Sequence, residues 1–433
     1  MSYDLCLSPQ RSLLPRHEVP CISTPSARAA SRVLLSVPHM GGAELAYVRS
    51  AFDTNWLSTV GPNLVNLEQG FSAMVGRPAV ALSSGTAGLH LALRLVGVGP
   101  NDEVVTPTLT FAASANPILY EHARPVFLDS ERATWNADPE LLARFLARRA
   151  RDNRLPKAVM VVHLFGMSAE LDAIAEICRR YELPLIEDAA ESLGARYYGR
   201  HPGAVGAVGV FSFNGNKIIT GSTGGMLVAS SPEMVERARK WSQQARDADP
   251  LGINNYVHTE LGYNYRMSNV VAGIVRGQLE VLQTRVEQRR AVFSRYAQGF
   301  ADLAGLEPQP ESPGCQHSRW LSAFLVDEAR FGMSAVELIR YLHAANVEAR
   351  PVWRPMHTQP LYRGCECIGG AVADDLHRCG ICLPSSSSLS EEDQAFVIDR
   401  IREASAKETF TGSSGWGEAE EEEAVAIEAA VAA

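Results

Sequence analysis

The chain has 433 residues, of which 46% are hydrophobic and 21% charged, with a formal net charge of −9; that balance is ordinary for a folded enzyme long enough for more than one domain. No stretch reaches the ~18 consecutive apolar residues needed to span a membrane, and no basic surplus marks a nucleic-acid footprint. Much of the charge sits in a C-terminal run (Glu418, Glu420, Glu421, Glu422, Glu423 and Glu428), without which the balance is −3.

Residues 1–34 are rich in Ser, Pro and Arg without periodicity and read as a disordered leader, too poor in apolar residues for a secretory signal. Arg11, Arg16, Arg28 and Arg32 leave an organelle-transit reading open, against which Asp4 and His17-Glu18 weigh; a misassigned start is the other reading. Over 35–282, apolar runs such as AVMVVHLF (158–165) and VGVFSF (208–213) alternate with helical stretches. That alternation predicts an α/β domain built on a mainly parallel, doubly wound sheet.

Three places in this domain carry candidate chemistry. In LSSGTAGLHLALRLVGVGPNDEVV (82–105), a turn of small residues opens an amphipathic helix. The amides of Gly85 and Thr86, the Thr86 hydroxyl and the helix dipole would form an anion site suited to a phosphate. In YELPLIEDAAESLG (181–194), a buried strand delivers Asp188 at its C-terminal end, where open α/β sheets place their chemistry. The alternative makes Asp188 the N-cap of a following AAESL helix. In FSFNGNK (211–217), Lys217 closes an apolar strand and is followed by the glycine-rich run IITGSTGG. An amine there, its pKa lowered by partial burial, can condense with an aldehyde, of which pyridoxal phosphate is the obvious one. Ser212 could give the same phosphate a further hydroxyl.

Further along, SPEMVERARKWSQ (231–243) reads as a helix, and VLQTRVEQRRAVFSRYAQGFADLAGL (281–306) as one long amphipathic helix leading into a smaller α+β domain over 283–405. There, Leu321–Val326 predicts a strand, 333–347 a helix and 391–404 the closing helix. Residues 406–433 read as an acidic tail, either disordered or a short exposed helix. The eight cysteines include Cys365, Cys367, Cys379 and Cys382 near His377. Their short spacings admit zinc, but ordinary buried thiols in a reducing compartment are the reading preferred here, with no metal site.

Taken in order, SGTAGLHLAL, TPTLTFAASANPILY, VFLDSERATWN, IEDAAESLG, FSFNGNKIITG, HTELGYNYRMSN and ARPVWRPMHTQPLY resemble the DegT/StrS family of pyridoxal-phosphate-dependent sugar aminotransferases. The resemblance runs from about Leu35 to Glu403. The SFNGNK form and the HTQPL segment are most similar to the branch that makes UDP-N-acetylbacillosamine by placing an amine at C4 of UDP-4-keto-6-deoxy-N-acetylglucosamine. The resemblance implies fold type I, a cytoplasmic homodimer with shared active sites, glutamate as amino donor and a nucleotide sugar as acceptor.

By the same resemblance, Lys217 anchors the cofactor and moves the proton, and Asp188 pairs with the pyridine nitrogen. Gly85, Thr86 and Ser212 would hold the phosphate, Phe111 would lie on the ring, and Glu191 would sit near the phenolic oxygen. Asn264 would reach the phosphate of the neighbouring subunit. His357, Tyr265 and Arg266 would approach substrate, with Arg266 the nearest candidate for the donor carboxylate, and His163 would sit near the ring. From the residues alone, Phe111 is also a plain core aromatic, Asn264 a turn residue and His357 a surface loop histidine. The loop after Lys217 departs from the family's runs of consecutive glycines by carrying Ser222 and Thr223. The readings kept beside this one are a different keto sugar on the same fold and a non-catalytic cofactor-binding sensor.

Overall fold

The computed structural model describes residues 32–249, 252–253 and 255–406. Most of the expected leader and nearly all of the acidic tail therefore lie outside the described residues.

Eight strands form the central sheet. They are β1 (Ala79–Leu82), β2 (Glu103–Pro107), β3 (Arg124–Leu128), β4 (Ala158–Val162), β5 (Leu185–Asp188), then, after a two-residue β6 (Arg196–Tyr197), β7 (Val208–Ser212), β8 (Gly225–Ala229) and, much later, β13 (Cys367–Ile368). The spatial order is β1-β8-β7-β5-β4-β2-β3-β13, and β8 alone runs against its neighbours. β4 is buried at every position and β5 likewise, because helices cover both faces of a parallel sheet and leave no strand face to water. This is the doubly wound α/β fold that the alternating pattern predicts.

A second sheet, in the order β12-β14-β11-β9, is antiparallel throughout. It comprises β9 (Leu306–Pro308), β11 (Ser322–Val326), β12 (Arg350–Pro351) and β14 (Gly380–Leu383), while β10 (Cys315–Gln316) pairs with β6. Its core of Phe324, Ile381, Leu383, Leu338 and Val397 is separate from the large one and also buries Val33 and Val347.

Three sequence expectations change in detail. The helix expected over 281–306 is shorter, Leu282–Gly299, ending before β9; a separate helix, Asn269–Glu280, precedes it, with Val281 (φ −108°, ψ 7°) between the two. The strand expected over 158–165 stops at Val162 because side chains capture the amides beyond it: Asn136 accepts from Leu164 and Glu191 from Phe165, whose φ is +56°. The domains are also interleaved, since β13 returns from the C-terminal segment to pair with β3 of the large sheet. Asp129, at the end of β3, accepts the amides of Gly370, Val372 and Ala373 and so caps the helix Ala371–Cys379. The chain thus fastens its C-terminal portion to the rim of the large sheet.

Candidate active site

A cavity of about 290 Å³ opens at the C-terminal ends of β5 and β7. Its wall includes Gly85, Thr86, Phe111, Asp188, Glu191, Ser212 and Lys217, so seven residues singled out in the sequence converge, joined by Ser84, the cap of the helix Gly85–Leu95. The Ser84 hydroxyl accepts from the Ala87 amide at 3.0 Å. The amides of Gly85 and Thr86 are left without an intrahelical acceptor, as at any helix start, next to the positive end of the dipole. A side chain at Gly85 would meet Ser212 Cβ at 3.1 Å, so glycine keeps this cradle open. The glycine-rich loop closes against it, with the Thr223 hydroxyl donating to the Ser83 carbonyl at 2.9 Å. Gly224 takes φ +113° there, and Ser222, one of the departures from the family pattern, adopts φ +71° despite its side chain.

Asp188 lies at the other side of the cavity and is almost fully buried. Burial raises its pKa; the Ser114 hydroxyl, donating to Oδ2 at 2.7 Å, the Ala190 amide and the charge of Lys217 pull it back. The segment after it is a set of turns rather than the AAESL helix, so the N-cap alternative does not apply. Phe111 is 56% exposed and faces Trp353 at 5.5 Å between ring centroids, which excludes the plain core aromatic.

Lys217 reaches between these groups. Its Nζ is 3.8 Å from Glu191 Oε1 and 3.9 Å from the centroid of the Trp320 ring. Burial lowers the lysine pKa, opposed by Glu191 and Asp188, and burial raises that of Glu191, opposed first by Lys217. Both shifts favour the uncharged forms, which suits an amine that must act as nucleophile and base.

The structure separates the remaining sequence candidates from the cavity wall. Arg266 is a correction: its guanidinium is buried on Glu68 and donates to the Ala81 carbonyl at 2.8 Å, so it is not free for a donor carboxylate. Tyr265 stacks on Tyr263, 4.8 Å between centroids, and its hydroxyl meets His90 Nδ1 at 3.1 Å on the helix Gly85–Leu95. His163 does not reach the cavity either, because its ring is fully buried, 3.1 Å from Glu187. His357 pairs with Thr108 Oγ1 at 2.7 Å and lies 3.4 Å from Asp374. Asn264 is exposed, in a backbone bridge with Gln243. Cys382 is buried in β14 and His377 pairs with the Val352 carbonyl at 2.7 Å. Sequence reading missed Ser114, Trp320 and Trp353. Ser114 lies within the quoted TLTFAAS run, but nothing local links either tryptophan to Lys217.

The wall residues fit pyridoxal phosphate: an anion cradle at a helix start, a buried carboxylate, an exposed aromatic face and a buried lysine amine surround one cavity. When bound, that cofactor supplies an electron sink and a carbonyl that exchanges amino groups. Gly85, Thr86 and Ser212 would hold its phosphate, Asp188 would keep a proton on its ring nitrogen, and Lys217, its pKa lowered by burial, would anchor it and carry the proton.

The fold and the cavity together define a fold-type-I, pyridoxal-phosphate-dependent aminotransferase. Residues 38–402 match the DegT/DnrJ/EryC1/StrS aminotransferase family, and the chain belongs to it as a sugar aminotransferase. It is 46% identical over 373 residues to the putative pyridoxal phosphate-dependent aminotransferase EpsN of Bacillus subtilis, covering 85% of this chain and 94% of that one. It is 36% identical to GDP-perosamine synthase of Caulobacter vibrioides, over 86% and 96% of the two chains. The crystal structure of the aminotransferase TlmJ from Streptoalloteichus hindustanus superposes with a TM-score of 0.79 at 33% identity, covering 86% of this chain and 99% of that one.

Proposed function

We propose that this enzyme moves an amino group from glutamate to C4 of a nucleotide-linked 4-keto-6-deoxy sugar, with UDP-4-keto-6-deoxy-N-acetylglucosamine as the first candidate. The observation that carries the reading is the convergence of Lys217, Asp188 and the Gly85–Thr86 helix start on one cavity. The choice of sugar rests on the SFNGNK and HTQPL segments. A GDP-linked sugar is the second reading, favoured by the 36% identity to GDP-perosamine synthase.

The enzyme acts as a cytoplasmic homodimer in this reading. The exposed Asn264 would complete the phosphate site of a second copy, and Tyr265 and His357 would meet substrate only in the assembled dimer. Among the described residues no helix is long and apolar enough to cross a membrane.

Absorbance of the cofactor-loaded protein tests the cycle. The band should be lost with glutamate and restored by the UDP-linked keto sugar. Restoration by a GDP-linked keto sugar alone would replace the first candidate with the second. A cofactor band that glutamate leaves unchanged would favour the cofactor-binding sensor.

A further inference from the structure

Trp320 is 1% exposed and immediately precedes the second sheet, far from Lys217 in sequence. Its ring nevertheless forms the floor beneath the lysine amine at 3.9 Å. Two sets of hydrogen bonds hold it there. Its indole N–H donates at 2.7 Å to the carbonyl of Asn216, the residue bonded to Lys217. Its own carbonyl accepts at 2.6 Å from Arg289, a buried guanidinium that also holds the Ser385 carbonyl at 2.9 Å and the Ser36 hydroxyl at 3.0 Å. The ring is therefore fixed to the same backbone that carries the amine, and an aromatic face at that distance attracts a cation.

We propose that Trp320 is a positioning residue for Lys217: its ring face holds the amine whenever it is not bonded to the cofactor, and its N–H sets the register of the backbone beside it. An aminotransferase must free its lysine in each half of the cycle, and a free amine on a flexible four-carbon stem would otherwise sample many rotamers. The indole face and Glu191 give it one place, within reach of the cavity.

The charged groups acting on the amine are Glu191 and Asp188, both from the end of β5. Asn214 and Asn216 on its own loop and Trp353 opposite are uncharged, and Arg319, next to Trp320, is turned onto the Phe293 ring at 3.5 Å. The ring face is thus a separable influence on the protonation of Lys217. The inference rests on Lys217 being the cofactor's anchor, which is read independently by reducing the loaded protein with borohydride and locating the modified lysine.

The test uses cofactor-free protein, with reductive methylation of Lys217 by formaldehyde followed across pH by mass spectrometry. Site-specific incorporation of mono- and multiply fluorinated tryptophan at position 320 alone weakens that ring's negative face while keeping its shape and leaves Trp353 unaltered. The midpoint for Lys217 is expected to fall stepwise with fluorination, because the ammonium loses support, by roughly 0.4 to 1.5 pH units in total, the range of a cation–π contact written as a pKa difference. Trp320→Phe, which keeps a weaker aromatic face and loses the N–H to the Asn216 carbonyl, should fall between the unsubstituted protein and Trp320→Leu, which should move the same way as fluorination. A midpoint that is unchanged or rises in the fluorinated series overturns the proposal, and that series decides it even if Trp320→Leu does not fold.

Discussion

Ser114 donates a 2.7 Å hydrogen bond to Oδ2 of Asp188, inside a cavity wall where both side chains are buried. The bond supports the ionised carboxylate against its burial, which by itself raises the pKa. Replacing Ser114 with Ala should therefore raise the Asp188 pKa further. A hydrogen bond to a charged group is worth about 1.5–3 kcal/mol, equivalent to roughly 1–2 pH units. The acid limb of the pH profile for kcat/KM should move upward by that order, since Asp188 stays protonated to a higher pH. A profile that does not move would mean that Asp188 does not titrate in the working range.

Lys217→Ala should remove both the covalent anchor and the proton carrier. Single-turnover conversion with glutamate is expected to fall by at least ~10²-fold, within the range for losing a positioned acid–base group. Added cofactor should still bind through the Gly85–Thr86 cradle, so absorbance and turnover separate the two roles. Turnover near that of the unaltered enzyme would refute the assignment.

Glu68 and Arg266 should respond unequally to mutation. Arg239 also bonds Glu68, at 2.7 Å, so Arg266→Met leaves the carboxylate with one cation. Glu68→Leu strands the buried Arg266 guanidinium, a fault worth about 3–5 kcal/mol. Thermal melting should show a markedly larger loss for Glu68→Leu. The reverse ranking would show that Arg266 contributes more than its pairing with Glu68.

Gly225→Ala tests the phosphate cradle without touching a candidate catalytic group. A Cβ there would lie 2.5 Å from the carbonyl carbon and oxygen of Ser84, so the turn before Gly85 must move. Overpacking of this kind costs about 1–3 kcal/mol, and with the displacement falling on the anion site, cofactor affinity should drop roughly 5- to 150-fold. Equilibrium titration with pyridoxal phosphate measures it; unchanged affinity would place the phosphate elsewhere.

Lys217, Asp188 and the Gly85–Thr86 turn were legible in the sequence because each is a local event, a strand end or a helix start, with its chemistry in adjacent residues. The doubly wound sheet was legible for a similar reason, as apolar runs alternating with amphipathic helices. What could not be read were contacts whose partners are remote in sequence. Arg266 sits near the right segment in the chain, yet packing delivers its side chain to Glu68, 198 residues away. His163 follows a cavity-lining valine but turns to Glu187 beneath the sheet.

The sequence by itself thus determined the fold class and singled out the lysine, the carboxylate and the helix start that share one cavity, since strand and helix periodicity and end chemistry are written in neighbouring residues. Only the tertiary structure decided which side chains serve those groups: Ser114 on Asp188, Trp320 under Lys217 and Glu68 on Arg266. The reason is physical. A buried polar or charged group takes whichever partner the packed chain brings within hydrogen-bond or ring-contact distance, and that choice is made across sheets and domains rather than along the backbone.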